Sequence, residues 1–313
     1  MRISGRVSLW AVGILLMYCC CNLRANGGGK IYYINSYHKG YPPSDKIMEG
    51  MKQAFSGHSI DLKTFFLDTK MNPELSAVER KTKQVLDEIR RFNPDVIVVS
   101  DDAAVANIVV PYLKNAGVPI VFCGVNWSAE GYQLPAATVT GMLEVLPLRE
   151  NLRLMKTYYP QAKKLTVLSE RSLSEEKNTQ LLDTLYRSMG FTVQYDLVNT
   201  YSEWKIKFKL ANEQADIIYL PTNGAIKEWD SSDAKTFVKT HIAKPVITCD
   251  DFMMPYCVYG LTKVAEEQGK WAGNSALEIL RGKLPSEIPV TKNKETHSYF
   301  NAELAVQIGL TIK

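Results

Sequence analysis

The sequence contains few of the residues and motifs from which catalytic centres are built. Its 313 residues include four histidines, which are widely scattered and show no metal-ligand spacing: His38, His58, His241 and His297. It has no nucleophile elbow, HExxH zinc motif, P-loop or GxGxxG fingerprint, and the glycines at 27–29 precede a predicted strand instead of following one. The pattern therefore predicts a protein that is not an enzyme and that holds no metal ion and no cofactor.

The apolar run near the N-terminus, residues 9–18, is short, because a membrane-spanning helix needs ~20 apolar residues. Arg2 and Arg6 precede this run, and small residues follow it. A basic, an apolar and then a small-residue segment, in that order, are typical of a secretory signal peptide. We therefore expect residues 1–25 to be removed by cleavage after Ala25 and the protein to be periplasmic or otherwise extracytoplasmic.

Cysteines are also few. Three of the six lie at the end of the apolar run, at 19–21, where a bacterial lipoprotein would use one as its acylated first residue. That cleavage prefers a small preceding residue and Tyr18 is bulky, so a lipid anchor is the less favoured alternative. The other three are Cys123, Cys249 and Cys257. An odd number excludes a complete disulfide framework, and a Cys249–Cys257 bridge is left open.

A charge excess is missing as well. Removing residues 1–25 takes away Arg2, Arg6 and Arg24 and no acid, so 37 basic residues fall to 34 against 33 acidic ones, a net charge of about +1. A nearly neutral protein has no electrostatic footprint for nucleic acid. Nucleic-acid binding is therefore excluded, and membrane contact is expected only through a lipid anchor.

What the sequence does contain is a series of short apolar runs that each end in a polar or aromatic cluster and precede a helix-like stretch. The runs form two groups of three: residues 31–34, 96–99 and 120–122, then 165–168, 217–220 and 246–248. Continuous β-branched runs are typical of parallel strands buried on both faces. The repeated pattern predicts an α/β fold with two Rossmann-like lobes and parallel sheets, and the chain length suits two such lobes.

The predicted lobes are interleaved along the chain. The N-terminal lobe is expected to take residues 26–143 and 261–284, and the C-terminal lobe residues 144–260 and 291–313. A long helix predicted from Val264 to Arg281 would pack on the N-terminal lobe.

Ligand sites of parallel α/β sheets lie at the carboxyl ends of the strands. The candidate ligand-binding residues are therefore those that follow the apolar runs. In the first lobe they are Asn35, Ser36, Tyr37, His38, Ser100, Asp101, Asp102, Asn126 and Trp127, and in the second Ser169, Glu170, Thr222, Asn223, Asp250 and Asp251.

Each of these assignments has a structural alternative. Asp101–Asp102 and Asp250–Asp251 each precede a helix, where one carboxylate could serve as an N-cap while the other projects towards the cleft. Trp127 is either a stacking wall for the ligand or an aromatic packed between the lobes. Acids outnumber bases at the strand ends, where the main bases are Lys39 and Arg171. We therefore predict a ligand with an amine, such as an amino acid, and the aromatic candidates allow a planar one.

Five blocks carry a resemblance to a known family: Ile-Asn-Ser-Tyr-His with Gly-Tyr-Pro at 34–42, the strand-to-Asp-Asp block at 94–102, and the blocks at 118–126, 216–223 and 244–248. Over residues 30–310 the chain resembles ABC transporter substrate-binding proteins of the type I periplasmic-binding fold, the group that includes tryptophan- and tyrosine-binding lipoproteins. The resemblance implies a hinge crossed three times, near 141–146, 256–262 and 285–290.

The resemblance also implies an exported receptor, here expected to be a monomer, that delivers a small molecule to an ABC permease. The alternative is an extracytoplasmic sensing module that signals to a histidine kinase or another receptor. An exported hydrolase is less favoured, because it would need an acid and a base converging in the cleft.

Overall fold

The computed structural model describes residues 28–310, which form two α/β lobes, each built on a six-stranded sheet. The predicted fold class is therefore confirmed. The predicted signal peptide, residues 1–25, and the cysteines at 19–21 lie outside the described residues.

The strands of the described chain, in order, are β1 Gly29–Asn35, β2 Ile60–Phe66, β3 Val96–Ser100, β4 Ile120–Asn126, β5 Val139–Glu144, β6 Lys164–Glu170, β7 Thr192–Val198, β8 Ile217–Tyr219, β9 Val246–Thr248, β10 Tyr259–Lys263, β11 Thr291–Lys292 and β12 Thr296–Phe300. The first sheet has the order β2-β1-β3-β4-β5-β11 and is parallel throughout. The second has the order β7-β6-β8-β9-β10-β12, in which β12 runs antiparallel to β10.

The helices are α1 Pro42–Ala54, α2 Leu75–Phe92, α3 Asp101–Ala104, α4 Leu148–Tyr158, α5 Leu173–Ser188, α6 Tyr201–Gln214, α7 Ser231–His241, α8 Ala265–Leu280 and α9 Ala302–Gln307. A π-helix, Val105–Leu113, continues α3, and short 3-10 helices cover Glu130–Tyr132, Asp251–Tyr256 and Pro285–Glu287. Across residues 28–310, none of the helices combines the length and hydrophobicity needed to cross a membrane.

Strand β3 shows why the apolar runs become central strands. All five of its residues are buried, because helices cover both faces of a doubly wound parallel sheet. Helix α2 shows the spacing of an amphipathic helix, because its apolar residues Val78, Val85 and Ile89 lie on one buried face. Each lobe thus has hydrophobic clusters on both sides of its sheet.

Helix α8 returns the chain to the first lobe and crosses α1 at backbone contact. A Cβ atom on Gly269 would lie 1.8 Å from the Ile47 carbonyl oxygen, and one on Gly50 would lie 2.1 Å from that of Glu266. Only glycine permits so close an approach. The contact fixes α1, and with it the loop before α1 that faces the second lobe.

The chain passes between the two sheets after Glu144, after Lys263 and after Lys292. The third passage lies later than the expected segment 285–290. Thr291 and Lys292 still pair with Met142 and Leu143 of β5, so this segment belongs to the first sheet. Of its two prolines, Pro285 begins a short 3-10 helix, Pro285–Glu287, and Pro289 follows the end of that helix. Neither proline marks the passage between the sheets.

The three cysteines of the described chain, Cys123, Cys249 and Cys257, are buried free thiols. The bridge left open between Cys249 and Cys257 is therefore not formed in this structure.

Candidate ligand-binding site

A cavity of about 40 Å³ lies between the lobes, where the carboxyl ends of the two sets of strands face each other. Its polar lining comes from both lobes. The first lobe contributes Tyr37, Tyr41, Lys70, Asp101, Asn126 and Glu144, and the second contributes Ser174, Glu175, Asn178, Thr222, Asp250 and Lys263. Five of the sequence-predicted residues are thus brought together: Tyr37, Asp101, Asn126, Thr222 and Asp250. Their role in ligand binding stays a prediction.

Asp101 is held in an uncommon conformation at the end of β3. Its φ of 69° is left-handed, and Gly124 opposite leaves room for it, since a Cβ there would lie 3.2 Å from Asp101 Oδ1. Asp101 Oδ2 is buried and accepts no hydrogen bond from any described residue. Burial, reinforced by the negative charge of Glu144, raises the pKa of Asp101 well above its ordinary value. The cavity therefore contains a buried carboxyl oxygen that has no hydrogen-bond donor among the described residues.

Lys70 occupies the wall of the cavity between two aromatic rings. Its Nζ lies 4.6 Å from the centroid of the Tyr37 ring and 4.7 Å from that of Tyr41, and it forms an ion pair with Glu170 of the second lobe. Burial alone would lower the pKa of Lys70, but Glu170 and Tyr37 outweigh it and raise the pKa. The ammonium group therefore stays charged and ties the two lobes together.

A second buried cation, Lys263, lies at the hinge. It pairs with Glu144 and lies 3.3 Å from Asp250 Oδ1. These two carboxylates raise the pKa of Lys263 against the effect of burial. Burial is also the main cause of the raised pKa values of Glu144 and Asp250, which Lys263 opposes. One ammonium group thus serves two buried carboxyl groups.

Glu175 and Asn178 bring polar groups from the first turns of α5. Glu175 Oε2 accepts a hydrogen bond of 2.8 Å from Ser169, and its Oε1 accepts one of 2.8 Å from the Asn178 amide. Burial and the nearby Glu170 raise the pKa of Glu175 to about 7. Asn178 Oδ1 is buried without a hydrogen-bond donor in the described part of the chain.

Three of the predicted residues instead hold the strand ends together. Ser36 Oγ donates to the Ser100 carbonyl at 2.6 Å and accepts from the Ala104 N–H at 2.7 Å, which closes the start of α3. Ser100 Oγ bonds the hydroxyl of Tyr33 at 2.8 Å. Asn35 Oδ1 accepts from the backbone N–H of Tyr37 at 2.9 Å. These side chains shape the loop that carries Tyr37 and do not line the cavity.

Asp102 forms a tie between the lobes. Its Oδ2 accepts hydrogen bonds from the backbone and side-chain nitrogens of Asn126, at 3.1 and 2.9 Å. Its Oδ1 accepts from Tyr132 at 2.8 Å and from Lys177 of the second lobe at 2.6 Å. Asp251 of the second lobe likewise forms an ion pair with the first lobe, since the ammonium group of Lys46 lies 2.5 Å from its Oδ2.

The N-cap alternative for the two Asp pairs does not apply in the described structure. The N-cap residues of α3 and of the 3-10 helix Asp251–Tyr256 are Ser100 and Asp250, and neither makes a capping hydrogen bond with its side chain. Each pair instead places one carboxyl group in the cavity and the other in an ion pair with the opposite lobe.

Five predicted residues lie near the cleft but outside the cavity lining: His38, Trp127, Ser169, Glu170 and Asn223. Trp127 packs against the hydrophobic cluster of the second lobe, which fits the alternative of an interlobe aromatic. His38 is partly exposed, and its Nδ1 lies 3.7 Å from Asp68. Glu170 acts through Lys70.

The sequence reasoning missed seven polar residues of the lining, namely Tyr41, Lys70, Glu144, Ser174, Glu175, Asn178 and Lys263. Lys70 follows the edge strand β2, which was not among the six runs considered. Glu175 and Asn178 belong to the helix after β6, so extending each strand end into the first turns of the next helix would have found them. The expected bases, Lys39 and Arg171, are exposed, and the basic residues of the cavity lining are Lys70 and Lys263.

Comparison with known proteins gives one family and one fold. The model of the family described as ABC transporter substrate binding protein matches residues 40–313. A tyrosine-binding protein of Clostridioides difficile is 26% identical over 202 residues, which cover 61% of this chain and 57% of that protein. The match thus spans little more than half the length of this curated relative.

Two of the solved structures that share the fold illustrate the likeness. An ABC domain from Streptococcus pneumoniae in complex with L-Trp has a TM-score of 0.71 at 19% identity, with 91% of this chain and 96% of that chain covered. A ligand-free, open substrate-binding protein with adhesive properties from Clostridium difficile has a TM-score of 0.65 at 18% identity, with 91% and 96% covered.

Proposed function

Because this chain belongs to the family of ABC transporter substrate-binding proteins, we propose that it captures a small molecule with an amine in the cleft between its lobes. The protein acts outside the cytoplasm and passes its ligand to an ABC permease. An amino acid or a closely related small amine is the proposed ligand.

The unpartnered oxygen of Asp101 is the observation that carries this proposal. It belongs to a group of carboxyls in or beside the cavity: Asp101, Glu144, Glu170, Glu175 and Asp250. Lys70 and Lys263 are the buried cations among them. Five acids against two bases leave an excess of three carboxyl groups, and a ligand ammonium group would supply a missing positive charge and hydrogen-bond donors.

An amino acid would also bring a carboxylate. Lys70 is placed to receive it, because its ammonium group lies at the cavity wall and is already oriented by Tyr37 and Tyr41. A tyrosine-binding relative and an L-Trp complex among the structural neighbours support a ligand of this class.

Closure of the lobes is the proposed mechanism. Contacts that cross the cleft already hold the closed form: Lys70 with Glu170, Lys177 with Asp102, Lys46 with Asp251, and the Tyr41 hydroxyl with Thr222 at 2.9 Å. A ligand that touches both Asp101 and the second lobe adds to these contacts only when the cleft is closed. It therefore shifts the population towards the closed state.

Calorimetry with matched ligands tests the proposal. Amino acids and their decarboxylated amines should bind, whereas the corresponding deaminated acids and simple sugars should not. Asp101→Asn retains the shape and tolerates the left-handed backbone but cannot take up the negative charge that a bound ammonium group would stabilise, so it should weaken amine binding by about ten- to a hundredfold. Asp87→Asn, on the exposed surface of α2, is the matched control and should bind as the unmodified protein does. Sugar binding, or amine binding that Asp101→Asn leaves within about twofold, would contradict the proposal.

A further inference from the structure

The inner cavity is too small to hold a whole amino acid with a large side chain. Its volume of about 40 Å³ has room for one or two water-sized groups. Pockets that enclose organic ligands usually measure about 300–1,000 Å³. In this closed form, the cavity around Asp101 therefore accommodates a head group and little more.

A groove of about 400 Å³ adjoins this cavity at the mouth of the cleft. We call it the outer groove. Its first-lobe wall is the segment leading into α2, together with α3, and its second-lobe wall is the loop and first turn that begin α5. The apolar part of the lining consists of Pro73, Leu75, Val78, Ala103 and Leu173.

The two spaces share a wall made of Tyr37, Lys70 and Ser174, which line both of them. In this wall, Tyr37 of the first lobe lies near Ser174 of the second. Lys70 is held in the same wall by its ion pair with Glu170. All three are side chains at the cleft, so opening of the lobes would separate Tyr37 from Ser174 and connect the cavity with the outer groove.

The outer groove is suited to an apolar group. Leu75 from the first lobe is 72% exposed and Leu173 from the second is 48% exposed, so closure leaves two large apolar side chains in water on opposite sides of the same groove. Besides Lys70 in the shared wall, the charged residues of the lining are Arg171 and Glu176, which lie 3.6 Å apart and neutralise each other. Covering the leucines with an apolar ligand group would remove their surface from water.

We propose that the ligand site has two compartments: the inner cavity binds the amine, and the outer groove binds an uncharged apolar substituent that passes between Tyr37 and Ser174. This inference rests on the proposed function and narrows it to amines or amino acids with a long aliphatic or aromatic side chain. Small polar amino acids would fill the inner cavity alone and bind weakly.

A chain-length series measured by calorimetry tests this arrangement. The probes are the straight-chain 2-amino acids from alanine to 2-aminooctanoic acid. Burial of each added methylene should tighten binding by about fourfold until the groove is filled. In the double variant Leu75→Ser/Leu173→Ser, the gain per methylene should fall. Leu284→Ser, at a leucine that is 59% exposed and does not line the groove, is the control and should retain the full gain.

The outcomes separate this inference from the proposed function. Affinity that does not change with chain length, combined with loss of binding in Asp101→Asn, would overturn the outer compartment and leave the amine site standing. An unchanged gain per methylene in the double leucine variant would overturn the compartment in the same way. If none of the amino acids bound, both proposals would be wrong.

Discussion

Asp101 and Asp102 in the first lobe, and Asp250 and Asp251 in the second, are two pairs of adjacent acids that follow buried strands and face the same cleft. Their surroundings differ residue by residue. Asp102 is fully buried and accepts four hydrogen bonds, whereas Asp101 beside it has a buried oxygen without a donor in the described structure. Asp250 shares Lys263 with Glu144, and Asp251 pairs with Lys46 at the partly exposed edge.

The comparison separates two roles for a carboxylate at a strand end. A carboxylate whose hydrogen-bonding capacity is filled by the protein holds the lobes in place and has nothing left for a ligand. A carboxylate that is buried but unfilled costs free energy in the empty protein and recovers it when a donor arrives. Asp102 is the clearest case of the first role, and the second is the role that we propose for Asp101.

Removal of Asp102 should give the largest effect. Asp102→Ala leaves the Tyr132 hydroxyl without this acceptor and leaves the ammonium group of Lys177, which is 19% exposed, with the Ser128 carbonyl but no carboxylate partner. Loss of one partner from such a buried pair should lower the free energy of unfolding by about 3–5 kcal/mol, measured by urea denaturation. The double variant Asp102→Leu/Lys177→Met removes both charges and should recover part of this loss. A loss below about 1 kcal/mol for Asp102→Ala would mean that Asp102 contributes no more to stability than an acid in an exposed ion pair.

Glu175 should show how a buried acid depends on pH. Its pKa is raised to about 7 in the folded protein, above the value of about 4.5 for the unfolded chain. The folded state then gains stability from the retained proton at low pH and loses it as the pH rises from about 4.5 to 7. Glu175→Gln removes this dependence and should be the more stable protein at pH 8, by of the order of 3 kcal/mol at most.

Glu203 is the matched control, because it also lies in the first turn of a helix, α6, but is exposed. Hydrogen bonds from the backbone of Asn199 and Thr200 lower its pKa, so its contribution to stability is present at neutral pH and lost as the pH falls through the lowered pKa. Glu203→Gln should therefore destabilise the protein at pH 7, with the opposite sign to Glu175→Gln. Melting temperatures between pH 4 and 8 distinguish the two, and equal signs would contradict the assigned burial of Glu175.

The elements could be predicted from sequence because each depends on local patterns. The β-branched run at 96–99 becomes a central strand, and the 3.6-residue spacing of Val78, Val85 and Ile89 becomes the buried face of α2. The pairing of short strands is less local. The two residues of β11 join the first sheet only because β5 leaves an open edge for them, which no pattern near the prolines reveals.

The lining of the candidate cavity was predicted only in part, because the partner of a side chain depends on the other lobe. Asp101 and Asp102 are identical and adjacent, and the difference between them comes from Lys177, which lies 75 residues further along the chain than Asp102. Likewise, the sequence around Lys70 is that of an ordinary loop lysine, and only the fold places Glu170 and the rings of Tyr37 and Tyr41 around it. Strand ends thus indicate where a site lies, but not which side chains remain free to bind.

Asp251→Asn should give the smallest effect of the four acids. The side chains of Asp251 and Lys46 are 25% and 34% exposed, and Lys46 keeps a second acidic neighbour, Glu266, at 3.7 Å. Partly exposed pairs contribute about 0–1 kcal/mol and are screened by salt. The free energy of unfolding should therefore fall by less than about 1 kcal/mol, and the loss should shrink between 0.05 and 0.5 M salt.

Ligand affinity in Asp251→Asn reports on the same pair, because Lys46 and Asp251 lie on opposite lobes and their attraction favours the closed state. If the pair contributes no more than 1 kcal/mol to closure, its loss can weaken binding by about fivefold at most, and by less at high salt. A tenfold or larger loss that persists at high salt would mean that Asp251 contacts the ligand. The division of each Asp pair into one residue that lines the cavity and one that forms an ion pair with the opposite lobe would then hold for the first lobe alone.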